Sequence, residues 1–129
     1  EWNHAMDHAR GVLTVLDKGE QGQAYNIGDE NERQNIEITR ILLSETGRDE
    51  SFVKRIPDPR EGAHDARYSM STAKIRALGW APTHPFDKYL LETVQWYLAN
   101  RDWWTEIVAK PEYQEFVRRF YGPGLGDDL

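Results

Sequence analysis

The chain has 129 residues, 22 of them acidic and 16 basic, and a formal net charge of −6. This length fits one domain with a sizeable core, and the negative charge, without any run of basic residues, argues against binding to nucleic acid or to an anionic membrane. The lack of cysteine excludes disulfides, thiolate catalysis and cysteine-bound zinc. Because no apolar run reaches the roughly 20 residues that cross a bilayer, we expect a cytoplasmic protein.

The first predicted elements are a helix and a short strand. Over residues 4–17 apolar side chains recur at helical spacing. The apolar stripe consists of Met6, Ala9, Leu13 and Leu16, and Val12 and Val15 widen it. Residues 23–27 alternate in polarity, with Tyr25 and Ile27 on one side, and therefore predict a strand.

A polar turn leads from this strand into a second predicted helix, residues 36–46, with Asn35 as its N-cap. Residues 52–56 have a β-rich composition and end at Pro57, so they predict a second strand. The polar loop of residues 57–67 follows. Loops of this kind often carry binding groups, and we treat this one as part of a candidate site.

The second half of the chain predicts helices. A short helix over residues 71–78 would be capped by Ser71, and residues 87–100 show the strongest helical pattern in the sequence. A further helix is predicted to begin at Pro111, because proline is favoured in the first turn of a helix.

The order of these elements predicts a mostly helical α+β domain over residues 1–121 and a flexible tail over residues 122–129. Two short strands form only a marginal sheet on their own. We therefore expect the surface of another domain to complete the fold.

The short motifs that imitate metal or cofactor sites fail on their details. His4 and His8 lie one helical turn apart, but Ala5 stands where a zinc-protease pattern requires glutamate, so no metal site is predicted. The glycines at 19 and 22 follow a predicted helix, whereas the phosphate-cradling turn of a dinucleotide site must follow a strand. The sequence contains no Walker-type loop, nucleophile elbow or Tyr-x-x-x-Lys pair.

Two polar segments remain as candidates for binding, residues 31–35 and 60–67. Two roles are open to Asn35: a helix cap alone, or an amide that also orients a base or ribose. One interpretation of Arg60 is that it forms an ion pair at the surface. Beside His64, its guanidinium also suits bidentate contact with phosphate or ribose oxygens.

Five segments, in the same order along the chain, resemble the dTDP-glucose 4,6-dehydratases, which are extended short-chain dehydrogenases/reductases. These segments are residues 1–10, 25–36, 62–68, 74–80 and 93–104. The resemblance implies a small C-terminal substrate-binding domain whose N-terminal Rossmann domain is absent. It also implies that NAD, the tyrosine–lysine pair and the acid/base carboxylates belong to that absent part, so that no catalytic, cofactor-binding or metal residue is expected in this chain.

The same resemblance implies that Asn35 and His64 contact the substrate. An extra residue interrupts the loop before His64, so either Arg60 or Glu61 takes the place of the arginine of the family. The implied parent is a homodimeric lyase that removes water from dTDP-glucose in deoxysugar biosynthesis. It would transfer a hydride from C4 to NAD, expel water across C5 and C6, and return the hydride to C6. We expect no turnover by this chain alone.

Two alternatives stay open. One is a related extended enzyme, an epimerase or decarboxylase that acts on another nucleotide sugar. The other is a helical protein-interaction module without a small ligand, in which Trp96, Trp103 and Trp104 form the binding face, although tryptophans at helical spacing are more often core or domain-interface residues.

Overall fold

The structure is a computed structural model and describes residues 1–56, 65 and 67–125. Its α-helices within these residues are α1 (Ala5–Lys18), α2 (Asn35–Glu45), α3 (Ala73–Arg76), α4 (Phe86–Ala99), α5 (Arg101–Val108) and α6 (Pro111–Leu125). A 3-10 turn, Glu50–Phe52, lies between α2 and α3. The predicted, mostly helical class is confirmed.

The chain divides into two compact units. Unit 1 comprises Glu1–Thr39 and Ala66–Glu92, and unit 2 comprises Arg40–Asp65 and Thr93–Leu129. In unit 1, α1 packs against α3, and the buried apolar side chains are Ile38, Ile75 and Trp80. In unit 2, α5 packs against α6 and Val94 is buried. No helix among the described residues is both long and apolar enough to cross a bilayer.

Helix α1 has the predicted length, shifted by one residue along the chain, and its apolar stripe is largely exposed. The His4 ring nitrogen Nδ1 accepts a hydrogen bond from the Met6 amide and caps the helix. The residues that α1 buries are Asp7 and Gly11, whereas Met6, Leu13 and Leu16 of the apolar stripe are 57%, 62% and 81% exposed. The face of α1 that carries Asp7 is the buried one, because several hydrogen-bond donors of unit 1 satisfy the Asp7 carboxylate.

Neither predicted strand forms within the described residues, because no backbone ladder pairs with them. Residues 23–27 nevertheless keep part of the predicted alternation, because Tyr25 and Ile27 are half-buried while Ala24 and Asn26 are exposed. Phe52 belongs to the 3-10 turn, and the chain becomes extended only at Val53. The alternation was predicted from local sequence, whereas the pairing depends on a partner strand.

The predicted caps of α2 and α3 are each displaced by one residue. Asn35 is the first residue of α2 rather than its cap, because the Glu37 carboxylate reaches back to the Gln34 amide at 2.8 Å, as in a capping box. Thr72, not Ser71, precedes α3, and its hydroxyl donates to another segment instead of capping the helix.

Two of the three C-terminal helices agree with the prediction, whereas α5 was not predicted as a helix of its own. Helix α4 begins and ends one residue before the predicted bounds, and α6 begins at Pro111 as predicted. Helix α6 continues to Leu125, and residues 126–129 lie outside the described residues. The flexible tail over residues 122–129 therefore stays a prediction.

Candidate functional site

The turn between Gly28 and α2 is held in place by carboxylates. Glu1 accepts hydrogen bonds from the amides of Glu30, at 3.1 Å, and Met70, at 3.0 Å, and so ties the turn to the segment before α3. Glu30 adopts the left-handed conformation (φ 59°) and accepts from the Thr72 amide and hydroxyl at 3.0 and 2.6 Å. These two hydrogen bonds lower the pKa of Glu30. The conformation costs energy for a residue other than glycine, so the contacts of the carboxylate help to fix the turn.

A bidentate ion pair joins the two segments that the sequence singled out. Arg67 donates to both carboxylate oxygens of Glu32, at 2.6 and 2.7 Å, and the Ser69 hydroxyl donates to the same carboxylate at 2.7 Å. The hydrogen bonds from Arg67 and then Ser69 lower the pKa of Glu32 to about 2, and the pair raises the pKa of Arg67. The turn before α2 is thus fixed to the chain that leaves the polar loop.

Arg33, in the middle of the turn, contacts other side chains of this chain. Its guanidinium pairs with Asp87 at 3.1 Å, lies 5.2 Å from the centre of the Phe86 ring and donates to the Asn31 side chain at 3.3 Å. This side chain therefore fastens the turn to the start of α4.

Two side-chain amides of the turn have no hydrogen-bond partner among the described residues. The side chains of Gln34 and Asn35 are exposed, and neither forms a hydrogen bond within the part of the chain that the structure describes. Because the Glu37 carboxylate already occupies this end of the helix, the leftover amides suit an uncharged base or ribose better than a phosphate. The sequence analysis did not single out Gln34. Glu37, three residues later, marks Gln34 as the cap of α2, so the Asn35 side chain is not needed as a cap.

The other predicted site residues cannot be placed beside these amides. Arg60 and His64 lie outside the described residues, as does Glu61. Their roles stay predictions, and the structure describes the loop only at Asp65 and from Arg67 onwards.

A second polar cluster surrounds the buried carboxylate of Asp7. It accepts from the Thr83 amide and hydroxyl, the His84 amide and the Arg10 guanidinium, and the His84 ring nitrogen lies at 2.8 Å. Burial raises the pKa of Asp7, but the hydrogen bonds from His84 and Thr83 outweigh burial and hold this pKa well below its usual range. The indole of Trp80 donates to the Asp7 carbonyl at 3.1 Å. This cluster organises the core of unit 1.

The residues of the motifs that imitate metal and cofactor sites have roles in the fold instead. His4 caps α1 and stacks on His84 with ring centres 4.2 Å apart. The described residues bring no three histidine, cysteine or acidic side chains into a metal-binding arrangement. The turn at residues 19–22 leads from α1 into residues without regular secondary structure rather than into a helix, so these residues do not fit the phosphates of NAD.

Comparison with known proteins places the chain beside one group of enzymes. It is 41% identical to a dTDP-glucose 4,6-dehydratase of Streptomyces niveus over 87% of this chain and 33% of that protein. It is 38% identical to the Escherichia coli dTDP-glucose 4,6-dehydratase over 94% of this chain and 35% of that protein. No family model matches the chain.

Solved structures agree with the sequence comparison. DesIV of Streptomyces venezuelae, a dTDP-glucose 4,6-dehydratase with NAD and TYD bound, superimposes with a TM-score of 0.75 at 45% identity over 81% of this chain and 32% of that chain. The Bacillus anthracis dTDP-glucose 4,6-dehydratase in complex with NAD superimposes with a TM-score of 0.75 at 34% identity, over 82% of this chain and 33% of that chain. The chain thus spans about a third of the length of these relatives, and the predicted resemblance is confirmed.

Proposed function

We propose that the chain is the substrate-binding part of an NAD-dependent dTDP-glucose 4,6-dehydratase, a lyase that forms dTDP-4-keto-6-deoxyglucose and water for deoxysugar biosynthesis. The observation that carries the proposal is the likeness to such enzymes, which extends over at least 81% of the chain in sequence and fold. The surplus amides in the turn before α2 support it, because a nucleoside offers base and ribose groups for amides to contact.

In this proposal NAD supplies the hydride acceptor and donor and is held by a Rossmann domain in the rest of the parent protein. The described residues of this chain contribute binding. The Asn35 and Gln34 amides orient the nucleoside, and the clamp of Glu32 with Arg67 holds their turn in place. His64, with Arg60 or Glu61, is proposed to contact the diphosphate from the polar loop. We further propose a cytoplasmic, homodimeric parent.

A ligand titration tests the binding role. Amide NMR shifts of this chain would be followed while dTDP, dTDP-glucose or UDP-glucose is added. We expect the two dTDP ligands to move the signals of Gln34, Asn35 and their neighbours, with weak affinity because the rest of the parent supplies further contacts. We expect Gln34→Ala to weaken binding about fivefold, which corresponds to one hydrogen bond.

The matched control is Gln114→Ala. Gln114 in α6 is another exposed glutamine without a side-chain hydrogen bond among the described residues, and it lies in unit 2. Equal binding of UDP-glucose and dTDP-glucose would favour a related epimerase or decarboxylase. Shifts confined to residues remote from α2 would contradict the proposed site.

The chain alone is proposed to be inactive, because its parent's hydride acceptor would be bound elsewhere. Purified chain would be incubated with dTDP-glucose and NAD and assayed for the 4-keto-6-deoxy sugar. Product formation by this chain would contradict the assignment of the chemistry to the rest of the parent.

One observation favours the alternative of a protein-interaction module. Trp96 and Trp103 are 46% and 55% exposed and pack edge to face with ring centres 5.3 Å apart, while the Trp104 indole donates to the Tyr97 carbonyl. If this face is the functional one, Trp103→Ala would abolish partner binding and leave the dTDP titration unchanged.

A further inference from the structure

Glu30 has a rare backbone conformation at the start of the turn that leads into α2. Among the described residues it is the one residue other than glycine with a positive φ, 59°. A side chain makes this left-handed conformation costly, so it persists only where surrounding contacts hold it. Because a backbone rotation redirects the chain that follows, the conformation of Glu30 determines where residues 31–35 run.

The contacts that hold this conformation come from the start of α3. The Glu30 carboxylate accepts hydrogen bonds from the Thr72 amide at 3.0 Å and from the Thr72 hydroxyl at 2.6 Å. The Arg76 guanidinium lies 3.9 Å from the other oxygen of this carboxylate and also donates to the Thr72 hydroxyl at 2.8 Å. We call these contacts the Glu30 latch.

The α3 side of the Glu30 latch is fixed in the core of unit 1. Thr72 and Ile75 are fully buried, and α3 packs against α1. The Glu30 side chain, by contrast, is 48% exposed. The latch therefore ties an exposed turn to the packed part of the unit.

We propose that Glu30 is a positioning residue for nucleoside binding. Its carboxylate is engaged by Thr72 and Arg76 and so does not itself contact the ligand. Instead, the Glu30 latch holds the left-handed conformation that directs the side-chain amides of Gln34 and Asn35 towards the nucleoside. The inference rests on the proposed function, because it assigns a further residue to the same binding turn.

Two substitutions of Glu30 separate the backbone conformation from the contacts. Glu30→Ala and Glu30→Gly both remove the carboxylate, but only glycine adopts a positive φ without steric cost. In the dTDP titration of the chain we expect Glu30→Ala to weaken binding about tenfold and Glu30→Gly by no more than about twofold. Urea denaturation should show lower stability for both variants, because both lose the hydrogen bonds from Thr72. A merely structural role would lower stability without this difference in affinity.

Substitution of Thr72 tests the Glu30 latch from its other end. Thr72→Val removes the hydroxyl and keeps a side chain of similar shape. We expect it to weaken dTDP binding about threefold in the otherwise unchanged chain and to have no further effect in the Glu30→Gly background. Thr72→Ser, which retains the hydroxyl, should bind dTDP as the wild type does. Equal effects of Thr72→Val in the two backgrounds would overturn the proposal.

The matched control is Glu92→Ala in α4. Glu92 is also an exposed glutamate with a cationic partner, Lys88 at 3.6 Å, and its loss should leave dTDP binding unchanged. Wild-type affinity in Glu30→Ala would overturn the proposal, as would equal weakening in Glu30→Ala and Glu30→Gly.

NMR of the ligand-free chain distinguishes a failure of this proposal from a failure of the proposed function. We expect Glu30→Ala to shift the side-chain amide signals of Gln34 and Asn35, and Glu30→Gly to leave them close to their wild-type positions. Unchanged signals in Glu30→Ala would overturn the positioning role even if the wild type binds dTDP. A wild type that binds no dTDP, with the signals shifted as expected, would contradict the proposed function and still support the positioning of the two amides.

Discussion

Two polar regions of unit 1 differ in whether their side chains all have hydrogen-bond partners. Around Asp7, every side chain is committed: five hydrogen bonds converge on one buried carboxylate, and the Trp80 indole satisfies the adjacent carbonyl. In the turn before α2, Glu32 and Arg33 likewise form ion pairs, but the side-chain amides of Gln34 and Asn35 have no partner among the described residues. The comparison separates polar groups that hold the fold from polar groups that are free to bind a ligand.

The largest expected effect comes from removing the committed carboxylate. Asp7→Ala would leave the Thr83 and His84 amides and the Arg10 charge without their partner, and we expect a loss of about 3 kcal/mol in the free energy of unfolding. Urea denaturation measures it. Asp17→Ala, at an exposed position of the same helix, is the control and should change stability little. A loss below about 1 kcal/mol would show that the cluster does not hold the fold.

The pH dependence of stability sharpens the same contrast. The pKa of Asp7 is lowered in the folded state, so its contribution is fully present above the unfolded pKa, near 4, and is lost as the pH falls towards the folded value. We expect the wild type to lose about 1 kcal/mol relative to Asp7→Ala between pH 4 and pH 3. Urea denaturation of both proteins at each pH measures the difference. Parallel stability curves through this range would mean that Asp7 titrates normally.

The opposite result is expected at the uncommitted amide. Because Asn35 is not the cap of α2, Asn35→Ala should change the free energy of unfolding by less than about 0.5 kcal/mol. It should weaken dTDP binding about tenfold, or about 1.4 kcal/mol. Calorimetric denaturation and ligand titration of the same sample provide both numbers. A loss of about 1 kcal/mol in stability with unchanged binding would instead support a helix cap as its only role.

A gain in stability is expected at a side-chain amide that is buried without a partner. Both polar atoms of the Asn3 side chain are buried and form no hydrogen bond with the described residues. We expect Asn3→Leu to raise the free energy of unfolding by about 1 kcal/mol, because an unsatisfied polar group is removed. Urea denaturation would measure the gain. A loss of similar size would mean that the amide has a favourable partner.

Local sequence patterns predicted most helices of the structure but not what each helix faces. The stripe of α1 has the predicted spacing, yet it points away from unit 1, since spacing does not say which surface buries a face. Tyr25 and Ile27 are half-buried between exposed neighbours at 24 and 26, as the predicted alternation requires, but no strand pairs with this segment among the described residues. The caps were off by one residue because the reach of Glu37 back to Gln34 competes with the cap propensity of Asn35.

The candidate site was predicted in part for similar reasons. Residues 31–35 were singled out by their polarity and their position before a helix. The pair of Glu32 and Arg67, 35 positions apart, follows from tertiary structure and has no local signal. Gln34 was not singled out, although Glu37 three residues later marks it as the cap of α2.

Turnover of dTDP-glucose by a chimera, in which this chain replaces the matching third of the Streptomyces niveus relative, tests most directly whether the side-chain amides of Gln34 and Asn35 bind a nucleotide sugar. We expect formation of the 4-keto-6-deoxy product, a roughly tenfold lower kcat/KM after Asn35→Ala and no change after Gln114→Ala. A folded chimera that turns over dTDP-glucose equally well with and without the Asn35 amide would contradict it.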